Sequence, residues 1–406
     1  MSPNAAHQLP VSPLPARRVS LSEVAAFFLR LGVTAFGGPA AHIAMMEDDL
    51  VRRRRWLTRD KFLDLFGASN LIPGPSSSEL AIHIGYLCAG WPGLLAAGFC
   101  FILPAASIVG VLAWAYVTFA RLPAVSAILY GVKPVVIALI LQALYGLSRT
   151  AIKSKFLAAV ALVSLVLAAV SLRPLLLLVI AGLLATLPEI RIRIAQTSAS
   201  AVTLLRSAAP QLKIFGGTGV GVGAVGVATP FSFASLFLVF LKIGAVVFGS
   251  GYVLLAFLRA DLVVHRGWLT DSQLIDAVAI GQITPGPVFT TATFIGYLLG
   301  GTKGAALATL GIFLPAFLLV AASGPLVPHI RKSKLAGSFL DGVIVASLAL
   351  MAVVAWQLGR ASLVDAVTIA LALASLVALL RFRLNSAWLV LTGAAAGLLV
   401  HLVKAG

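Results

Sequence analysis

The sequence reads Ile-Pro-Gly-Pro at residues 72–75 and Thr-Pro-Gly-Pro at residues 284–287, each inside a strongly apolar stretch. Two prolines around a glycine prevent a continuous helix, because proline has no amide hydrogen and its ring clashes with the preceding turn. Non-helical backbone at membrane depth is tolerated only where it faces protein or a water-filled cavity. The two breaks therefore predict the point around which the fold is organised.

The sequence flanking the first break recurs around the second. Trp-Leu-Thr at 56–58 matches 268–270, and Ile-Gly-Tyr-Leu at 84–87 matches 295–298, with one residue lost between the two matches. Repetition at a fixed spacing indicates two copies of one structural unit. The sequence predicts four parts: a disordered tail (1–21), a first copy (22–190), a basic, glycine-rich linker (191–231) and a second copy (232–406).

The composition places the chain in a membrane. Of its 406 residues 60% are hydrophobic and 11% charged, and the mean hydropathy is +1.05. A soluble core cannot hide that much apolar surface, so the lipid bilayer must be the solvent. The net charge of +17 does not indicate nucleic-acid binding. The basic residues cluster between apolar segments, as cytoplasmic loops do, and no soluble domain of adequate size is present.

The distribution of basic loops predicts that the two copies are inverted. In the first copy the loops 52–61, 149–155 and 190–213 are basic, and they fall on one side if the Pro-Gly-Pro segment is re-entrant. In the second copy the basic loops are 331–334 and 381–383, which correspond to poorly charged loops of the first copy. Lys and Arg are retained on the cytoplasmic side. We therefore expect an all-α polytopic protein with two inverted-topology repeats of about five spans each, a plan common in secondary transporters.

Two further breaks interrupt the first apolar stretch of each copy: Phe-Gly-Gly-Pro at 36–39 and Phe-Gly-Ser-Gly at 248–251. Glycine lets backbone amides approach a ligand and half-helix N-termini carry partial positive charge, so such breaks favour an anion site. The candidate oxyanion ligands at the four breaks are Gly37, Gly38, Gly74, Gly249, Gly286, Ser76, Ser77, Asn70, Gln282, Thr290 and Thr291. The alternative is that glycine and proline are merely common in membrane helices and that the hydroxyls cap or back-bond.

Arg30 and Lys242 occupy the same repeat position, each inside an apolar stretch. A cation there costs ~2.5–3.5 kcal/mol at mid-helix and usually faces a cavity or a partner, so both are candidate oxyanion ligands. Snorkelling to the membrane surface is the alternative. Asp49 and Asp261, which also match in the repeat, predict salt bridges from the loops to the helices.

Three titratable residues break the symmetry of the repeat. Glu79 and His83 are spaced i, i+4 after the first Pro-Gly-Pro and so share one helix face. His42 follows the Phe-Gly-Gly-Pro break, and the second-copy counterparts do not titrate: Thr290, Phe294 and Leu254. A carboxyl group and imidazoles in one half of an apolar core form a candidate proton relay. A Glu–His pair that merely satisfies itself is the alternative.

These motifs together resemble the chromate ion transporter family in its long, two-domain bacterial form. The resemblance rests on Phe-Gly-Gly-Pro with a following His, on Ser-Glu-Leu-Ala-Ile-His-Ile-Gly-Tyr at 78–86, and on Gly-Gln-Ile-Thr-Pro-Gly-Pro-Val-Phe-Thr at 281–290. It implies an inner-membrane transporter that exports chromate, with sulfate as the similar anion, driven by the proton gradient and conferring chromate resistance. The second copy departs from the pattern with Phe-Gly-Ser-Gly at 248–251, which makes the two half-sites inequivalent.

The residues and the resemblance lead us to expect a secondary transporter with a midplane site for a tetrahedral divalent oxyanion. Glu79, with His83 or His42, would carry the proton, and no cofactor or metal is expected. An anion channel lined by the same breaks is one alternative. A membrane enzyme acting on lipid phosphate is another, disfavoured because the three titratable residues form no recognisable catalytic or metal-binding set. The sequence leaves open the preference between chromate and sulfate and whether the chain forms a homodimer.

Overall fold

The computed structural model describes residues 19–36, 38–119, 122–170, 172–201, 231–248, 253–382, 384 and 386–405. Most of the tail and of the linker, together with Gly37 and Gly249, lie outside these ranges. The first copy contains α1 (Leu21–Thr34), α2 (Gly38–Glu47), α3 (Arg59–Ser69), α4 (Ser76–Phe119), α5 (Pro123–Ala151), α6 (Lys155–Ala169) and α7 (Pro174–Ala201). The second contains α8 (Phe233–Val246), α9 (Leu254–Leu258), α10 (Asp271–Ile283), α11 (Thr291–Lys332), α12 (Lys334–Ser362), α13 (Ala366–Phe382) and α14 (Ser386–Ala405).

Both copies begin with the same local structure. Ser20 and Ser232 cap α1 and α8 by accepting hydrogen bonds from backbone amides of the first turn, which satisfies donors that a helix start leaves free. Each first helix stops at the predicted break, and the helix that follows it continues into a π-helical turn. The repeat seen in the sequence is thus a repeat of structure.

The long helices α4 and α11 are each two helices joined by a sharp turn. Gly90 and Gly301 adopt φ +64° and +60°, the left-handed region that favours glycine. A Cβ on Gly85 would lie 2.3 Å from the carbonyl oxygen of Gly93, although eight residues of continuous helix would separate them by about 12 Å. The half-helix after each Pro-Gly-Pro therefore folds back onto the long helix that follows it.

The described helices have the length and apolarity that a bilayer demands. Five of them are long and apolar enough to cross a membrane: Ser76–Phe119, Pro123–Ala151, Val288–Ser323, Lys334–Ser362 and Ser386–Val403. Four shorter apolar helices accompany them: Lys155–Ala169, Pro174–Ile190, Phe233–Val246 and Ala366–Phe382. Large apolar side chains such as Leu162, Trp356 and Trp388 point outwards. The chain is a polytopic membrane protein that is helical throughout the described ranges, as the sequence predicts.

The two copies share their packing instead of forming separate domains. Helix α5 packs against α13 and α14 of the second copy, and its counterpart α12 packs against α6 and α7 of the first. Small residues make these contacts close: a Cβ on Gly131 would lie 2.0 Å from the Gly393 carbonyl oxygen, and one on Gly342 would lie 2.4 Å from that of Ala181. Such close backbone approach is typical of helix packing in membranes.

Candidate functional site

The Pro-Gly-Pro tip of each copy reaches into the other copy. The Gly74 amide donates to the Val247 carbonyl oxygen (2.7 Å), and the Gly286 amide donates to the Ala35 carbonyl oxygen (2.9 Å). Ala35 and Val247 end α1 and α8, so each tip meets the break at the start of the opposite copy. Gly74 and Gly286 have φ +141° and +91°, where a side chain would be strained. Because the backbone amides of Gly74 and Gly286 donate to protein carbonyl oxygens, these two glycines determine the shape of the site.

His42 ties these contacts into one centre. Its Nε2 lies 3.1 Å from the Ala35 carbonyl oxygen, the same atom that accepts the Gly286 amide. Because a carbonyl oxygen only accepts, Nε2 carries a proton. The other nitrogen, Nδ1, lies 3.3 Å from the Ser77 hydroxyl at the start of α4. The imidazole, fully buried, therefore joins α2, the end of α1 and the first turn of α4.

Glu79 is a buried carboxyl group to which the described residues offer no partner. Its side chain is 0% exposed, and neither oxygen has a hydrogen-bond partner among the described residues. A Cβ on Gly74 would lie 2.3 Å from Oε1, so the glycine leaves room for the carboxyl group. Burying an isolated charge costs far more than burying a neutral acid. This pocket accommodates the protonated acid at much lower cost than the carboxylate.

The neighbours of Glu79 on α4 also carry unused polar atoms. Within the described ranges, the Ser78 hydroxyl and the His83 Nε2 are buried and have no hydrogen-bond partner. Glu79 and His83 consequently do not satisfy each other, contrary to the structural pair considered as an alternative. Buried polar atoms are paired in most native proteins, so a group of exceptions calls for an explanation. We refer to His42, Ser77, Ser78, Glu79 and His83 as the polar half-site.

The equivalent part of the second copy is satisfied and apolar. The Thr290 hydroxyl donates to the Pro287 carbonyl oxygen and the Thr291 hydroxyl to that of Val288, both at 2.8 Å. Leu254 and Phe294, the counterparts of His42 and His83, are buried apolar side chains. Thr290 and Thr291 therefore back-bond within their own turn, which is the structural role that the sequence left open for them.

Arg30 and Lys242 lie at the surface. Arg30 Nη2 is 2.8 Å from Asp49 Oδ2, and Lys242 Nζ is 2.5 Å from Asp261 Oδ1. The salt bridges predicted for Asp49 and Asp261 are confirmed. The cationic side chains are 58% and 47% exposed, and Lys242 lines a cavity of about 370 Å³ that also contains Arg173. The part of Arg30 and Lys242 in oxyanion binding stays a prediction. Because both cations lie at the surface, the role that we expect for them is to attract the anion from there.

The remaining predicted ligands divide by location. Ser76 and Gln282 are buried, whereas Asn70 is exposed at the end of α3. Gly38 has φ +74°, and apart from its own backbone neighbours no heavy atom of the described residues lies within 4 Å of where its Cβ would stand. Gly37 and Gly249 lie outside the described residues.

A second buried polar cluster escaped the sequence analysis. Asp276 on α10 is 2% exposed, and its carboxylate lies 3.3 Å from Lys133 Nζ on α5 and accepts a hydrogen bond from Tyr116 on α4. The signal was present: Lys133 and Asp276 each stand inside an apolar segment, where a charge is rare. Their proximity depends on the packing of one copy against the other, which no local pattern reveals.

Comparison with known proteins agrees with the repeat. Residues 22–186 and 234–398 match the family described as chromate transporter. The chain is 33% identical to the chromate transport protein of Cupriavidus metallidurans, over 93% of this chain and 92% of the relative. It is 32% identical to the probable chromate transport protein of Synechococcus elongatus, over 88% and 89%, and to the chromate transport protein of Pseudomonas aeruginosa, over 80% and 78%. These relatives are named as transport proteins and not as enzymes. No solved structure matches the chain.

Proposed function

Because this chain belongs to the chromate transporter family, we propose that it exports chromate across the bacterial inner membrane in exchange for protons. Sulfate, with the same charge and nearly the same shape, is the second substrate of this proposal, and chromate resistance is its consequence for the cell. The observation that carries the proposal is the buried carboxyl group of Glu79, which has no hydrogen-bond partner among the described residues and lies beside the meeting point of the breaks.

The oxyanion site of this proposal is the N-terminus of α4. A helix N-terminus attracts anions through its free amides and its dipole. Ser78 adds a hydroxyl donor on the first turn, and this hydroxyl has no hydrogen-bond partner among the described residues. The Ser77 hydroxyl beside it lies 3.3 Å from Nδ1 of His42. Arg30 and Lys242 attract the anion from the surface.

Glu79 is the proton carrier of this proposal. In an antiporter the return step carries the proton without the oxyanion, so the carboxyl group must be stable there as the neutral acid. Its surroundings in the described ranges offer neither oxygen a hydrogen-bond partner and bring no cation to ion-pair distance, which meets that requirement. His42 and His83 are the imidazoles placed to pass the proton on.

The direction of exchange follows from electrical work. Moving one elementary charge across the membrane is worth about 2.3 kcal/mol per 100 mV. A dianion leaving and a proton returning both move charge in the direction that an inside-negative potential favours. The potential and the pH gradient then drive the same cycle.

The two copies in this proposal are inverted. Tyr130 near the start of α5 donates to Asp365, just past the end of α12 (2.6 Å). Lys153, just past the end of α5, contacts Asp341 near the start of α12 (2.8 Å). Because α5 has 29 residues and is about 43 Å long, these reciprocal contacts support an antiparallel arrangement of the copies.

Uptake into everted membrane vesicles tests the function. With the proton gradient imposed, radiolabelled chromate should accumulate above its electrochemical equilibrium, and collapse of the gradient should release it. Vesicles without the protein are the control. Saturable flux that never runs uphill would contradict the exchanger and favour a passive channel.

Labelling of single cysteines tests the inversion. In a chain lacking Cys88 and Cys100, Arg53→Cys and Lys332→Cys should both react with an impermeant maleimide in everted vesicles and not in intact cells. Reaction from opposite faces would show that the copies are not inverted.

A further inference from the structure

The cluster around Asp276 joins the two copies. Lys133 and Tyr116 belong to the first copy, and Asp276 and Ser272 to the second. The Tyr116 hydroxyl donates to Asp276 Oδ2 at 3.0 Å, Lys133 Nζ lies 3.3 Å from Oδ1, and the same ammonium donates to the Ser272 hydroxyl at 2.6 Å. Three helices, α4, α5 and α10, therefore converge on one carboxylate.

Asp276 has few other neighbours that carry charge. Helix α10 also packs against α11, α12, α14, the π-helical turn Arg259–His265 and the short turn Val288–Thr290. Arg259 of the π-helical turn pairs with Asp271. Across the described ranges, these elements bring no titratable side chain within hydrogen-bond or ion-pair distance of the carboxylate. Lys133 and Tyr116 are thus the two groups that set its charge state. The Asp276 side chain is 3% exposed and that of Lys133 is 20% exposed, so the cation is the more accessible member of the pair.

The cluster has no equivalent in the other half of the molecule. Asp64 holds the repeat position of Asp276, but it is exposed, and Ile344 holds the position of Lys133. A fold that needed this ion pair only for packing would be expected to use it at both equivalent places. Replacing a buried ion pair by apolar residues is often neutral or stabilising, so packing alone is a weak reason to keep it.

We propose that Asp276 is a second proton-binding site of the transport cycle, with Lys133 as the cation that replaces the proton when it leaves. In one state the carboxylate pairs with Lys133 and accepts from Tyr116. When a proton from water binds the carboxylate, the acid becomes neutral and the ion pair ends. The Lys133 ammonium keeps its bond to the Ser272 hydroxyl and remains the more exposed member of the pair. Loss of the proton to water restores the pair, so no buried charge is left alone in either state.

This inference rests on the proposed proton exchange and adds a site to it. Glu79 and Asp276 then lie in different copies, each beside the other copy's helices. Among the described residues, Glu79 in the polar half-site has no cation at ion-pair distance, whereas Asp276 has Lys133. The two acids can therefore bind protons at different stages of one cycle.

Two transport rates measured in everted vesicles distinguish a proton-binding role of Asp276 from a structural one. Two rates are measured for each variant: chromate uptake driven by an imposed proton gradient, and exchange of labelled for unlabelled chromate without a gradient. For Asp276→Asn we expect driven uptake to fall at least about tenfold while exchange stays within about threefold, because exchange moves no net proton. Asp64→Asn is the matched control and should keep both rates.

The charge of Lys133 gives an independent readout. Without this cation the acid should hold its proton to higher pH, so the pH profile of driven uptake in Lys133→Gln should move up by about one unit or more. An unchanged profile would overturn the proposal, and this variant decides the matter if Asp276→Asn fails to reach the membrane.

Other outcomes are equally decisive. Driven uptake that survives in Asp276→Asn would overturn the inference and leave the proposed function intact. Loss of both rates in a variant that is present in the membrane would make the cluster structural. A wild-type chain that shows no gradient-driven uptake would overturn the proton exchange itself, and this site with it.

Discussion

The half-helices that follow residues 75 and 287 hold equivalent places in the repeat and use their polar groups differently. In the first, Ser78, Glu79 and His83 hold buried polar atoms without hydrogen-bond partners in the described ranges. In the second, the hydroxyls of Thr290 and Thr291 donate hydrogen bonds to carbonyl oxygens of their own turn. The duplicated backbone builds the break in both copies, and side-chain differences place the candidate chemistry in one of them. A site can thus be asymmetric although the fold that carries it is a repeat.

The largest effect is expected at Gly74. Its Cβ would lie 2.3 Å from Glu79 Oε1, so Gly74→Ala must displace the carboxyl group, and φ +141° strains any side chain. Misplacing a functional group by about 1 Å can cost about a hundredfold, and we expect transport to fall by that order. Driven chromate uptake, normalised to protein in the membrane, measures the loss.

A comparison with Gly286 in the second copy distinguishes a steric effect of the added methyl group from an effect on the Glu79 carboxyl group. A Cβ on Gly286 would lie 2.7 Å from the Ala105 methyl group. Gly286→Ala should therefore be improved by adding Ala105→Gly, whereas Gly74→Ala should not be improved by Ala316→Gly. Equal rescue of both would mean that Gly74 only relieves packing.

The substitution His42→Leu gives the first copy the residue type that the second copy has at the equivalent position, Leu254. The change removes the imidazole from the Ala35 carbonyl oxygen and the Ser77 hydroxyl, and an abandoned buried polar group costs about 1–3 kcal/mol. We expect driven uptake to fall about tenfold, since 1.4 kcal/mol corresponds to one factor of ten. Leu254→Met, a change of similar volume in the second copy, should stay near wild type. Similar losses in both variants would show that the imidazole has no special part.

A hydroxyl comparison should give a moderate difference. Ser78→Ala removes a hydroxyl without a partner in the described ranges, and a lost hydrogen bond to a charged ligand is worth about 1.5–3 kcal/mol, so the KM for chromate should rise at least about tenfold. Thr291→Val removes a hydroxyl that bonds its own turn and should change KM by less than about twofold. The reverse order would move the anion site to the second copy.

The smallest effects are expected at the surface cations. Exposed salt bridges contribute about 0–1 kcal/mol, so Arg30→Gln and Lys242→Gln should barely change stability. If they attract the anion from the surface, KM should rise about twofold at low ionic strength, and the difference should vanish near 1 M salt, where the Debye length is about 3 Å. A large loss that salt does not change would instead indicate direct contact.

Local features of the fold could be read from the sequence. The prolines and glycines at 72–75 and 284–287 predicted where helices stop, because they act on the backbone of their own segment. The repeat likewise predicted that Arg30 and Lys242 share one environment, and both pair with equivalent aspartates. These inferences needed only neighbours in the chain or a comparison of the copies.

Contacts between the copies could not be read in this way. The bonds from Gly74 to Val247 and from Gly286 to Ala35 depend on how the copies pack. The pairing of Lys133 with Asp276 depends on the same packing, and hydrophobic periodicity reports only the face of each helix. The sequence therefore groups the predicted ligands by the motif in which they stand. In the structure they are instead grouped by the helix, from either copy, that they contact.

The most direct test of the central claim compares Glu79→Gln with Thr290→Val, its counterpart in the second copy. Gradient-driven chromate uptake and gradient-free chromate exchange are measured side by side in everted vesicles. We predict that Glu79→Gln loses the response to the gradient and keeps exchange, while Thr290→Val keeps both. A Glu79→Gln chain that still accumulates chromate in response to the proton gradient would contradict the account.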